Sequence, residues 1–216
     1  MESLDAIIKK RLHVNTHPLV MSKMTMLRNK ETGSKEFREL VSEISAFIAY
    51  EATRETTLVS KTVETPVGIA EGWECARKFG LVPILRAGLG MVDGISNLMP
   101  TAKIGHIGIY RNPETLQPQN YYCKLPPELE DSEILLLDPI LATGRTVELS
   151  IRYLKNAGAV HIKYLCLVAV AEGVEEVLKN HPDVDIYTAA FDEKLNSHGY
   201  IVPGLGDAGD RLFGTR

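Results

Sequence analysis

Cysteine is scarce: Cys75, Cys123 and Cys166 are the only three in 216 residues, they cannot all pair with one another, and their spacing fits no zinc pattern. An excess of positive charge is missing too. Lys and Arg number 24 against 28 Asp and Glu, a net charge of −4, so the basic footprint of a nucleic-acid binder is absent. No apolar run approaches the roughly 18 residues that a membrane helix needs. The opening Met1-Glu2-Ser3-Leu4-Asp5 carries no basic-then-apolar signal, so a cytosolic chain with no membrane partner is expected. There is no repeat, low-complexity tract or Gly/Ser-rich linker, and residues 1–216 are read as one domain. The six histidines include no i, i+4 pair and no His-x-His, so structural or surface roles are expected for them rather than metal binding. What remains is an ordinary globular composition, 44% hydrophobic and 24% charged, which excludes disordered and fibrous classes.

From Ser34 to Ala52, Phe37, Leu40, Val41, Ile44, Phe47 and Ile48 recur at three- and four-residue steps, which predicts an amphipathic helix with Ser34 as its cap. Beyond it, short apolar runs alternate with helical stretches. Strands are expected at Leu81–Leu85, Lys103–Tyr110, Glu133–Leu137, Ile162–Val170 and Val184–Ala189. Helices are expected over Gly88–Leu98, Thr146–Asn156 and Gly173–Asn180. This order predicts an α/β fold with a mainly parallel sheet flanked by helices. Ligands of such sheets sit at the carboxyl ends of the strands, so the loops after Leu85, Tyr110 and Leu137 are the places to search. The polar, turn-rich segment Arg111–Asn120 reads as a protruding flap hairpin. Cys166 lies in an apolar run and is expected to be a buried thiol; Tyr121, Tyr122 and Trp73 are expected to be packing residues. The glycine-dense tail carries Tyr200, Ile201, Val202, Leu205, Leu212 and Phe213, enough apolar surface to predict that it folds back as a hood over residues 192–216.

The sharpest chemical signal is the run Asp138-Pro139-Ile140-Leu141-Ala142-Thr143-Gly144-Arg145-Thr146 after an apolar strand. Ala142 to Thr146 can wrap backbone N–H groups around an anion at the positive end of the following helix. Thr143 and Thr146 add hydroxyls, and Gly144 permits close approach. No Gly-Lys-Ser/Thr follows, so this is not a nucleoside-triphosphate P-loop. Asp138, at the strand end, can accept hydrogen bonds from ligand hydroxyls; the combination suggests a sugar phosphate.

That run resembles the phosphoribosyl-diphosphate (PRPP) signature of type I phosphoribosyltransferases, in the form used by uracil phosphoribosyltransferases. His17-Pro18-Leu19-Val20, Phe37-Arg38-Glu39-Leu40, Tyr50-Glu51-Ala52-Thr53, Val82 to Gly90, Tyr110-Arg111-Asn112 and the tail Gly199 to Asp210 carry the same resemblance. It implies the type I phosphoribosyltransferase fold and the reaction of uracil with PRPP to give UMP and diphosphate in pyrimidine salvage. Arg86 and Arg111 are implied to hold the leaving diphosphate, residues 138–146 the 5-phosphate and ribose, and Ile201, Gly206, Asp207 and Ala208 the uracil edge. Asp207 is also implied on the ribose side, with a role as general base a hypothesis only. Mg2+ is implied to arrive mainly on PRPP, and a homodimer or larger homo-oligomer is expected, with GTP a candidate effector. Two departures stand out. Pro139 occupies the place of a second acid found in most type I members, as in the uracil branch. Arg145 stands where that branch commonly has glycine, and its guanidinium is a candidate supplement to phosphate binding.

Two rival readings are discriminable. Gly88-Leu89-Gly90 with Gly94 imitates a dinucleotide turn, but Asp93 stands where the strict spacing needs glycine. A nucleotide-binding regulator acting on RNA, as pyrimidine-operon regulators do, would need a basic face that the charge balance does not offer.

Overall fold

The computed structural model of the chain describes residues 3–111 and 118–215, without the side chains of Arg111, Pro118 and Asn120. The chain begins with α1 (Leu4–Arg11), β1 (Leu12–Val14) and α2 (Pro18–Arg28). The His17 ring caps α2 by accepting from the Leu19 N–H at 3.2 Å, and Pro18 takes a first-turn position where a missing N–H costs nothing. α3 spans Ser34–Ala52, the expected bounds, but its cap is Gly33 and Ser34 is already helical. Gly33 is extended, and its carbonyl accepts the Phe37 N–H at 2.9 Å, which begins the helical ladder one residue early.

β2 (Leu58–Thr65) and β3 (Gly68–Cys75) then form a two-stranded antiparallel ribbon of their own. Both of its faces meet solvent, with Val59, Val63, Val67, Ile69 and Trp73 exposed. Trp73 is 72% exposed and is therefore not the packing residue expected.

β4 (Lys78–Leu85) enters the main sheet and is followed by α4 (Leu89–Leu98), β5 (Lys103–Ile104), β6 (His106–Arg111) and β7 (Pro118–Lys124). The single strand expected over Lys103–Tyr110 is thus two strands, broken at Gly105, where a side chain would press within 2.5 Å of Pro126 and 2.8 Å of the Lys124 carbonyl. β6 and β7 pair antiparallel and flank the expected flap; its tip, 112–117, lies outside the described residues. Tyr121 and Tyr122 are 56% and 44% exposed rather than packed in a core, although the Tyr121 ring covers Gly108 and tilts against Tyr110.

The remaining elements are β8 (Ser132–Leu137), β9 (Ile140–Leu141), α5 (Arg145–Asn156), β10 (His161–Val170), α6 (Ala171–Asn180), β11 (Asp185–Asp192), β12 (Lys194–Leu195), β13 (Ile201–Val202) and α7 (Ala208–Phe213). The main sheet runs β1-β11-β10-β8-β4-β6-β7, with β5 on β4 and β9 on β10. Every pairing in it is parallel except β6 with β7, as the strand–helix alternation predicts. β8 is buried at all six positions because helices cover both faces. Leu135 and Leu137 join one cluster with α2, α3, α4 and α7; Ile134 and Leu136 join a second with α5 and α6. Cys166 is buried in the second cluster. No helix among the described residues is long and apolar enough to cross a membrane.

The tail does fold back. Ile201, Leu205, Ala208 and Leu212 are buried in the first cluster, and the Leu212 methyls fill the space that a side chain on Gly90 would take. Leu212→Ala is expected to destabilise the chain by about 2–5 kcal/mol in urea unfolding, whereas a change within about 0.5 kcal/mol would mean a tail that merely rests on the surface.

Candidate active site

The strand end after β8 builds the site. Leu137 is the last residue of the buried strand, so Asp138 emerges at its carboxyl edge. The Asp138 N–H is held by the Leu165 carbonyl at 3.2 Å, and its own carbonyl accepts from the buried Tyr164 hydroxyl at 3.2 Å. Burial pushes the Asp138 carboxyl up to about 7; a hydrogen bond from the Ile140 N–H opposes the shift and the nearby Asp207 carboxylate adds to it.

Downstream, Gly144 adopts φ +77° and starts α5 without a side-chain cap. The first-turn N–H groups of α5 have no intrahelical partners and face the turn. Asp138, Leu141, Thr143, Gly144 and Thr146 surround a hollow of about 100 Å³ there. Gly173, in the first turn of α6, lies directly behind: a side chain on it would stand 2.5 Å from the Ala142 carbonyl and 2.9 Å from that of Leu141. Gly173 is a supporting residue that sequence reading misses, because its contact depends on how α6 meets β9 and the turn after it.

Adjoining this hollow is a cleft of about 230 Å³. Asp138, Pro139, Ile140 and Ala142 form one wall; Gly199–Ile201 and Gly206–Gly209 form the other, and Ala87 closes an end. Asn196 shapes the second wall, its side-chain oxygen accepting from the N–H groups of His198 and Tyr200. Asp207 caps α7 through the Asp210 N–H at 2.9 Å and lines the cleft opposite Asp138. A larger groove of about 710 Å³ shares Gly206 and Asp207 with the cleft, but only the smaller cleft shares Asp138, Ile140 and Ala142 with the hollow at the start of α5.

Two segments with residues 147–200 between them, Asp138–Thr146 and Ile201–Ala208, therefore come together around one cleft and its adjoining hollow. The arginines are placed differently. Arg145 is exposed and its side chain lies outside the lining of both cavities. Arg86 neighbours Ala87 at the cleft end, yet its guanidinium sits 5.6 Å over the Phe213 ring. The peptide bond between Leu85 and Arg86 is cis. The Arg111 side chain lies outside the described residues. Ala87, Gly199, Tyr200 and Gly209 also line the cleft; they lie inside the segments Val82–Gly90 and Gly199–Asp210 that carry the family resemblance, but no site role is implied for them individually.

The sequence pattern described as uracil phosphoribosyltransferase matches residues 14–215. The chain belongs to the uracil phosphoribosyltransferase family. The uracil phosphoribosyltransferase of Halalkalibacterium halodurans is 59% identical over 207 residues, covering 95% of this chain and 99% of that one. That of Natranaerobius thermophilus is 57% identical with the same coverage. Among solved structures, the AQ2163 protein from Aquifex aeolicus matches with a TM-score of 0.89 at 36% identity, covering 94% of this chain and 97% of that one. The fold of this family member is the type I phosphoribosyltransferase fold, with its parallel sheet, flanking helices and C-terminal hood.

Proposed function

We propose that this chain transfers the phosphoribosyl group of PRPP to uracil, giving UMP and diphosphate, a step of pyrimidine salvage. The observation that carries this reading is the junction of a phosphate-sized hollow with a cleft whose far wall is glycine-rich backbone, Asp138 standing between them. Uracil offers acceptors at O2 and O4 and a donor at N3. Close-lying N–H and C=O groups of Ile201 and Gly206–Ala208 match that edge, and cytosine would leave buried groups unpaired.

In the proposed reaction uracil N1 forms its bond to the anomeric carbon as the bond to diphosphate breaks, with inversion. The N1 proton leaves to solvent or to Asp207. The residues Pro139–Thr146 hold the 5-phosphate, and Asp138 accepts from the ribose hydroxyls. Arg86 and Arg111 offset charge growing on diphosphate; for Arg86 this requires the guanidinium to leave the Phe213 ring. Catalysis is then mainly positioning and charge stabilisation. Among the described residues no three His, Cys, Asp or Glu side chains cluster to cage a metal, and the site's acids are Asp138 and Asp207. This donor set suits Mg2+ arriving on PRPP oxygens, where it supplies charge neutralisation, with at most these two carboxylates beside it.

The two side-chain clusters share one sheet, which supports reading 1–216 as one domain with 192–216 as its hood. The exposed apolar residues of the β2–β3 ribbon support a homodimer or larger homo-oligomer. A cytoplasmic location rests on the sequence reading, and GTP as effector on the family resemblance alone. An absorbance assay with PRPP and uracil, cytosine, hypoxanthine or orotate tests the reaction: UMP formation with uracil alone is expected, and turnover with another base but not uracil overturns it.

A further inference from the structure

The base-facing residues of the hood lie on both sides of one turn. Ile201 precedes it, Gly206 to Ala208 follow it, and Gly204 stands at its centre with φ +59°. A side chain on Gly204 would come within 2.2 Å of the Ile201 carbonyl, so the turn is as tight as glycine allows. One ion pair holds both polar backbone groups of this residue. The Gly204 N–H donates to Asp192 Oδ2 at 2.9 Å, and its carbonyl accepts from Arg28 Nη1 at 2.7 Å. Arg28 and Asp192 meet as a fork, Nη1 to Oδ2 at 2.7 Å and Nη2 to Oδ1 at 2.6 Å. Asp192 ends β11 and is 9% exposed; Arg28 ends α2. The next carbonyl, of Leu205, is taken by Arg211, which also reaches the Asn29 carbonyl beside Arg28.

We propose that Arg28 and Asp192 act as a positioning pair that pre-orders the base-recognition loop and thereby sets affinity and selectivity for the base. Neither side chain lines the cleft. The inference rests on the reading of Ile201 and Gly206–Ala208 as the uracil edge. Recognition through main-chain atoms leaves no side chain to adjust, so the loop itself must be held in place before the base arrives. A glycine-rich loop is costly to order, and a fork of two charged hydrogen bonds with two backbone bonds fixes its midpoint to the sheet and to α2. Asp192 is buried and Arg28 half-buried, a setting in which an ion pair adds little net stability over apolar side chains, so its worth here lies in fixing the Gly204 backbone.

Arg28→Lys keeps the charge but loses the fork, and Asp192→Asn keeps the shape but loses the charge. Initial rates with both substrates varied are expected to give a uracil KM raised about 10- to 100-fold in each variant. The PRPP KM should rise far less than the uracil KM, and discrimination against cytosine should narrow, because every implied PRPP residue but Asp207 is built on other elements. Each variant is measured below its own unfolding midpoint, so the second serves if the first folds poorly. Equal rises in both KM values, or an unchanged uracil KM, overturn the proposal. Gly206→Ala, which strains the loop at φ +81° where its methyl has room, probes the underlying reading separately. If it leaves the uracil KM untouched, the uracil site is wrongly placed; if it alone raises that KM, the site stands and the positioning pair falls.

Discussion

Asp138→Asn is expected to raise the KM for PRPP about 100-fold or more and, at the same time, to make the folded chain more stable at pH 8. The first effect follows from the proposed contacts: a carboxylate accepting from two ribose hydroxyls gives two charge-assisted hydrogen bonds, and their loss amounts to about 3 kcal/mol. The second follows from the carboxyl's burial. Its pKa is 3.8 in an ordinary setting and about 7 here, so between those values the folded chain binds the proton that the unfolded chain has released. Stability contributed at this residue is therefore full at low pH and lost as pH rises from about 4 to about 7, to the extent of about 4 kcal/mol. The amide carries no such penalty. Urea unfolding at pH 5 and pH 8 reads the difference: the gain from Asp138→Asn should be full at pH 8 and less than half as large at pH 5, where the unfolded carboxyl has already lost its proton but only part of the pH span has been crossed. A variant with the wild-type KM for PRPP, or with the same gain at both pH values, would contradict this account of Asp138.

Gly144→Ala is expected to be nearly as damaging to PRPP binding, for a steric reason. At φ +77° a side chain costs about 1–2 kcal/mol, and its methyl carbon would stand 2.7 Å from the Gly173 carbonyl and 2.9 Å from the Glu176 side chain. Neither the carbonyl nor the α6 backbone can yield cheaply, so the turn must move and its N–H groups with it. A PRPP KM raised about 100-fold is expected. Gly158→Ala supplies the contrast: its φ is +99°, but open space surrounds it, so it should cost stability without altering PRPP kinetics. Equal PRPP kinetics for the two variants would remove the turn from the phosphate site.

The elements that bury a face are legible in the residues. The α3 stripe, the continuous β8 run and the Asp138–Thr146 turn all carry their burial in their sequence, and the structure has them close to the expected bounds. The β2–β3 ribbon is not legible, because neither face is covered. Lys61, Thr62 and Glu71 alternate with Val59, Val63 and Ile69 without separating an inner side from an outer one. A Trp in such a ribbon looks like core until the strands around it are known. The arginine side chains are not legible for another reason: a motif gives the position of Arg86 or Arg145 on the backbone but not which way a long, flexible side chain turns. Phe213, 127 positions after Arg86, decides that for Arg86. Gly173, Arg28 and Asp192 are hidden similarly, their partners lying far away in the chain.

The division of the side-chain packing by the sheet has a mechanical consequence. Leu141 and Val147 root the phosphate turn in the layer of α5 and α6, whereas Ile201, Leu205 and Ala208 root the base loop in the layer of α2, α3 and α7. On the proposed reading each substrate is thus gripped mainly from its own side of the sheet, while Ile140 and Ala142 of the phosphate turn also pack against the base-loop layer. The bond from N1 to the ribose is then the covalent tie between two bodies that were separately anchored. The distance across which that bond must form is then set by the sheet itself, which both anchors share.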